Sequence, residues 1–193
     1  METLVHDGDA VTIALEQASD VIARDGVLAR AMQPNWKKKT SQKLRAGRRP
    51  AEGLAFVARD NAGAIVGTVR LWHIQAGIDG FGRPVSALML GPLAVDPDAK
   101  SRGTGTVLMR HALSEAARLG HGAVLLVGDA PYYARFGFST ANTGALALPG
   151  PVERDRFLAI ELVEGWLDGA AGMVVATGTK THKARAAKTR LAA

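Results

Sequence analysis

Leu93-Ala94-Val95-Asp96-Pro97-Asp98-Ala99-Lys100-Ser101-Arg102-Gly103-Thr104-Gly105-Thr106 is the stretch on which the reading of this chain turns. An apolar run enters it and an amphipathic run of helical period leaves it, so it joins a strand to a helix. Gly103 and Gly105 let backbone approach a ligand closely. The first N–H groups of a helix have no acceptor of their own, and the helix dipole favours negative charge there. Lys100 and Arg102 add formal positive charge. The combination suits a phosphate or pyrophosphate. It is not a Walker A loop, because no Gly-Lys-Ser/Thr triplet ends it. Nor is it the dinucleotide fingerprint, which needs a third glycine and a ribose-binding acid. Taken alone, the turn is equally satisfied by a plain strand-to-helix joint whose glycines serve only geometry.

Working outward, Val85 to Val95 is an apolar run broken by Gly91-Pro92, which predicts a bulge or splay in that strand. After the turn, Leu108, Met109, Ala112, Leu113, Ala116 and Ala117 form one apolar stripe of a helix over Gly105–Leu119, which Gly120 and Gly122 end. Ala123–Val127 then reads as a short buried strand, Tyr132–Phe136 as one helical turn and Phe157–Val163 as a last strand. Upstream, Leu54–Ala58 and Ala64–Ile74 form a hairpin about Asp60-Asn61-Ala62-Gly63, followed by a Gly-rich connection from Ala76 to Arg83. Val11–Leu15 is a first strand. Ser19–Met32 is a helix, or two with a weak point at Gly26, and Pro34 ends it. Thr40 caps a short helix through Leu44. Strands and helices in this order predict a mixed α+β sheet rather than a βαβ repeat.

Two segments carry a family resemblance. Lys100-Ser101-Arg102-Gly103-Thr104-Gly105 resembles the acetyl-CoA-binding motif of the GNAT superfamily of N-acetyltransferases, Gln/Arg-x-x-Gly-x-Gly/Ala after a strand ending Val-x-Pro, with Lys100 in place of the usual Gln or Arg. Tyr133-Ala134-Arg135-Phe136-Gly137-Phe138 is similar to the family's Tyr-x-x-x-Gly-Phe segment, and Leu125 to Phe138 (LLVGDAPYYARFGF) looks like the YhbS-like group within it. The resemblance spans Val11 to Val163. It implies a GNAT-like mixed, mostly antiparallel sheet with a splayed central strand pair and flanking helices. It also implies transfer of an acetyl group from acetyl-CoA to a primary amine in a ternary complex. The cofactor residues would be Leu93, Ala94, Val95, Lys100, Ser101, Arg102, Gly103, Thr104, Gly105 and Thr106, with the pantetheine arm against the strand near Gly91-Pro92.

The resemblance also assigns Tyr133 as the catalytic general acid. A phenol with an ordinary pKa near 10 can protonate a thiolate whose acid lies near 8.5 only if well aligned. Tyr132 reads as a packing neighbour. The base is open. Many relatives carry a Glu in the fourth strand, but Ala87-Leu88-Met89-Leu90 has none. Asp129 and His73 are candidates, Asp129 reading first as a helix N-cap, and water is the remaining one. The acceptor, a small-molecule amine or a protein or peptide amine, would be set by the loops near Trp36 and Ala76–Arg83. A non-catalytic CoA-binding sensor is the alternative outside enzymes.

Composition narrows the field further. The 193 residues suit one domain, 1–175, with a basic tail, 176–193, expected to be disordered. The absence of cysteine excludes disulfides and thiolate metal sites, and the five histidines show no ligand spacing, so no metal is expected. No secretory signal or long apolar run is visible, which reads as a cytoplasmic protein with no membrane partner, monomeric or homodimeric. The net charge of +6 comes mostly from Lys180, Lys183, Arg185, Lys188 and Arg190, with a second basic run from Lys37 to Arg49. Neither basic segment comes with stacking aromatics or a nucleic-acid motif, so both read as solvated charge without a specific nucleic-acid partner.

Overall fold

The computed structural model describes residues 2–4, 11–32, 40–99 and 103–181. In chain order these form β1 (Glu2–Leu4), β2 (Val11–Leu15), α1 (Val21–Ala31), β3 (Ala55–Arg59), β4 (Ile65–Ile78), β5 (Pro84–Val95), α2 (Thr104–Arg118), β6 (Ala123–Val127), α3 (Ala130–Ala134), β7 (Leu146–Ala147), β8 (Phe157–Glu161) and β9 (Ala171–Ala176). The strands make one sheet in the order β1-β2-β3-β4-β5-β6-β8. Its neighbours are antiparallel except β5 and β6, which run parallel. This is the mixed, mostly antiparallel α+β architecture expected.

The long strand β4 organises the sheet. One edge pairs with β5 along most of its length. The other edge is shared, β3 taking Ile65–Arg70 and β9 taking Ile74–Ile78. Alternation along β4 sorts its side chains to two cores. Val69 and Leu71 join Phe56, Leu88, Leu126 and the α2 stripe of Leu108, Met109, Ala112 and Ala116. Trp72 and Ile74 join Met89, Leu125, Phe157 and Val174. Helix α1 lays Val27 and Leu28 on Val57, Ile65 and Ala94. It runs unbroken through Gly26. A mid-helix glycine costs about 1 kcal/mol relative to alanine, and burying Val27 and Leu28 offsets that.

The predicted splay is present. β5 meets β6 only at Leu88↔Val124 and Met89↔Leu125, and beyond these the two strands part. Within β5, the register against β4 jumps from Val69↔Leu93 to Leu71↔Leu90, so Gly91 and Pro92 are the bulge, with a cis peptide between them. The Trp72 indole N–H donates to the Gly91 carbonyl at 2.6 Å and pins the bulge from the β4 side.

Two expectations change. The strand at Phe157 is not the last, because β9 follows it and fills the vacant edge of β4. Its sequence, AGMVVA, has a glycine at its second position and buries only Val174 fully, which hides it from a periodicity reading. The boundary after Val175 therefore falls inside a strand. The following residues stay paired: Arg49 N–H donates to the Thr179 carbonyl, and Thr181 N–H donates to the Gly47 carbonyl, each at 2.8 Å. Arg48 also donates to the Gly178 carbonyl. The expected disorder of residues 182–193 lies outside the described residues.

Candidate active site

Where β5 parts from β6, one edge of β5 loses its neighbour. Asp96 N–H donates to Val66 O at 2.8 Å, which makes that pair a hydrogen-bonded one. Alternation along an antiparallel ladder then assigns the Thr68↔Ala94 pair to the ladder as well. Leu93 and Val95 consequently turn their N–H and C=O groups away from β4 and into the gap, whereas those of Ala94 are used within the sheet. Of the three β5 residues expected at the cofactor, two have backbone to offer and the third, buried against α1, does not. The gap is a cleft of about 440 Å³ whose walls include Arg45, Leu93, Val95, Gly128, Asp129 and Tyr133.

The cleft continues to the start of α2. Gly103 caps the helix with φ 75°, a conformation that favours glycine, and its carbonyl accepts from the N–H groups of Thr106 and Val107. A second hollow of about 430 Å³ is lined by Gly103 to Thr106, Tyr132 and Arg135, and it shares Val95, Gly105 and Tyr132 with the first. A side chain at Gly105 would begin 2.9 Å from the Tyr132 hydroxyl, so the groove is open there because the residue is glycine. The Thr104 hydroxyl is buried without a partner among the described residues. Arg135 donates to Thr106 Oγ1 at 3.0 Å with its guanidinium 4.4 Å from the Tyr132 ring centre. Lys100, Ser101 and Arg102 lie outside the described residues.

Tyr133 faces the cleft from α3. Its ring packs on Gly128 so closely that a Cβ there would come within 2.1 Å of it. Burial, then the neighbouring Tyr132 and Asp129, push its pKa up to about 12, with Arg156 pulling the other way. It therefore stays a protonated donor across the neutral range. Asp129 occupies the N-cap position of α3, yet its side chain makes no capping hydrogen bond. It lies on the cleft wall. His73 is set aside as a base. Its ring is 5.4 Å from that of His121, beyond the C-terminal end of α2, and it lines neither hollow. Of the expected Ala76–Arg83 connection, Ala76 to Ile78 belong to β4 and only the rest is a tight turn, at the far end of that strand and off the cleft. Trp36 lies outside the described residues.

Sequence reasoning missed three cations. Arg45 was counted with the solvated basic run, but it is buried and lines the cleft. Arg135 sits inside the Tyr-x-x-x-Gly-Phe segment as an unassigned position. Arg156 reaches the cleft from the turn before β8. The one signal available was the placement of Arg135 two residues after Tyr133.

Residues 51–140 match the family described as acetyltransferase (GNAT) domain, which covers β3 through α3 and hence the bulge, the α2 turn and Tyr133. This chain carries a GNAT acetyltransferase domain. Both sequence segments that carry the resemblance lie inside it. Over 162 residues the chain is 28% identical to the N-acetyltransferase YhbS of Escherichia coli K12, covering 84% of this chain and 93% of that one. Among solved structures it is similar to E. coli YhbS in complex with CoA, with a TM-score of 0.71, 27% identity and coverage of 86% and 89%. A GNAT acetyltransferase from Brucella melitensis in complex with acetyl-CoA is similar at a TM-score of 0.54 and 25% identity, covering 78% of this chain and 95% of that one. The GNAT match thus spans the bulge, the start of α2 and α3, with Arg45 before it and Arg156 after it, and YhbS is matched over nearly the whole described fold.

Proposed function

We propose that the protein transfers an acetyl group from acetyl-CoA directly to a primary amine, with both held in the cleft at once. The observation that carries this reading is the open edge of β5 at Leu93 and Val95, which leads into the start of α2 with Tyr133 across the gap. Acetyl-CoA, when bound, supplies a thioester whose C–S bond breaks as the amine's C–N bond forms, leaving an amide and a thiol. The backbone groups of Leu93 and Val95 would pair with the amide-bearing arm, and the N–H of Leu93 would polarise the thioester carbonyl. The first turn of α2 would hold the pyrophosphate with Arg135 and the Thr104 hydroxyl, which has no partner among the described residues.

On the acceptor side, Asp129 takes a proton from the incoming ammonium, directly or through a water, so that the nitrogen lone pair is free to attack. The nitrogen loses a second proton to water as the amide forms. Tyr133 donates a hydrogen bond to the departing sulfur. With Tyr133 near 12 and a thiol near 8.5, complete proton transfer is uphill by ~5 kcal/mol. The phenol therefore stabilises the developing thiolate, and the sulfur's proton is finally made up from solvent. A free-thiol assay with acetyl-CoA and a panel of amines tests the reading. Thiol release that depends on the amine supports it. CoA binding without release in the presence of any amine would make the protein a binding module.

A further inference from the structure

Arg45 is the anomaly in the cleft. It follows the 3-10 turn Thr40–Leu44 and is only 6% exposed. Its guanidinium stands over the bulge: a Cβ on Gly91 would lie 3.1 Å from its Nη1. Its hydrogen bond to Ser41 Oγ is long, at 3.4 Å, and its Nε has no partner among the described residues. Two other arginines of this region, the buried Arg24 and the partly buried Arg70, both reach Glu16. No carboxylate among the described residues does the same for Arg45. Burial, with the charge of Arg70 second, lowers its pKa to about 10, so it remains a cation at neutral pH. A buried, unpaired cation is destabilising, and an apolar side chain of similar length would remove the penalty. An anion brought by a ligand would also remove it.

The cleft indicates which anion. Arg45 borders the hollow at Gly91 and Leu93 but not the one at the start of α2, so the cofactor's phosphates have their own site. Asp129, on the same cleft wall, is the site's counterpart for an ammonium. A guanidinium fork matches a carboxylate through two parallel hydrogen bonds. We propose that the acceptor is a small amine bearing a carboxylate, and that Arg45 is the residue that binds the carboxylate. The inference rests on the acetyl-transfer reading above.

The test uses matched acceptors on one carbon skeleton: L-phenylalanine, L-phenylalaninamide and phenethylamine, with the corresponding sets for leucine and glutamate and an aminoalkylphosphonate as a second anion. Turnover with acetyl-CoA and binding to the CoA-loaded protein by calorimetry are read for wild type, Arg45→Lys and Arg45→Met. In the wild type, kcat/KM for at least one carboxylate member should exceed that for its amide by 30-fold or more. Arg45→Met should abolish the preference, Arg45→Lys should recover it in part, and the loss should fall mainly on KM. The thermal midpoint of Arg45→Met should equal or exceed that of wild type, a result that a purely structural role for Arg45 would not produce. The proposal is overturned if amides are bound and turned over as well as carboxylates, or if the phosphonate alone is preferred. An equal loss on all acceptors with a lowered midpoint also overturns it. If no amine is turned over, the acetyl-transfer reading fails, and the carboxylate-against-amide comparison by calorimetry still decides the role of Arg45.

Discussion

Tyr133 and Gly128 form one functional unit, because the ring lies where a Cβ on Gly128 would be. Tyr133→Phe keeps the packing and removes the donor. Turnover should fall by about 10²-fold or more while CoA affinity changes less than twofold, since removing one hydrogen-bond donor to developing transition-state charge typically costs about 10²–10³-fold. Gly128→Ala should lower turnover by displacing the same ring with its hydroxyl intact, again with CoA affinity preserved in calorimetry. The raised pKa fixes a sign. The phenol is the protonated form below about 12, so its ionisation should leave no inflection in the pH–rate profile up to about pH 10. Asp129→Asn should depress turnover most at low pH. Its deficit should shrink as pH rises and the acceptor amine deprotonates without help, and a deficit independent of pH would assign Asp129 to positioning. Tyr133 was legible because the Tyr-x-x-x-Gly-Phe spacing is local. Arg45 was not, because Lys43, Arg48 and Arg49 share its basic neighbourhood, and only the fold buries it while leaving Lys43 hydrogen-bonded at the surface.

At the scale of elements, function depends on β5 and α2 meeting through one turn. Gly105→Glu should place bulk against the Tyr132 hydroxyl and negative charge at the positive end of α2. CoA affinity should fall at least tenfold, about 1.4 kcal/mol. Arg135→Ala should weaken binding by a smaller factor, and the loss should shrink at high salt because the side chain is exposed. Unchanged CoA affinity in a folded Gly105→Glu protein would detach the turn from the cofactor. This joint was legible: the Gly91-Pro92 break, the glycine pair and the α2 stripe are all dictated by backbone geometry or helical period. β2 and β6 also fall at the expected residues. Continuity of α1 through Gly26 and the existence of β9 were not legible, since both depend on apolar burial against distant strands.

For the whole molecule, the question is where the folded unit stops. A chain ending at Thr181 should keep the thermal midpoint of the full chain, since every described partner is retained. A chain ending at Val175 removes the acceptor for Arg49 N–H and the donors to Gly47 and His73. At ~1 kcal/mol for each such bond and 2–4 °C per kcal/mol, its midpoint should drop by about 5 °C or more. Scanning calorimetry of the two truncations compares them directly, and equal midpoints would mean that the 176–181 pairings contribute nothing.

The shared edge of β4 also constrains how the molecule is made. Ile74 leaves the ribosome about a hundred residues before its partner Ala176. At ~5–20 residues per second, the Ile74–Ile78 part of the longest strand's edge waits unpaired for several seconds. By then the bulge, the α2 turn, α3 and Arg156 have all been synthesised, so the parts of the groove precede the strand that closes the sheet. The nascent protein thus passes through a stage in which its ligand groove is complete in sequence while an open strand edge is exposed to other chains.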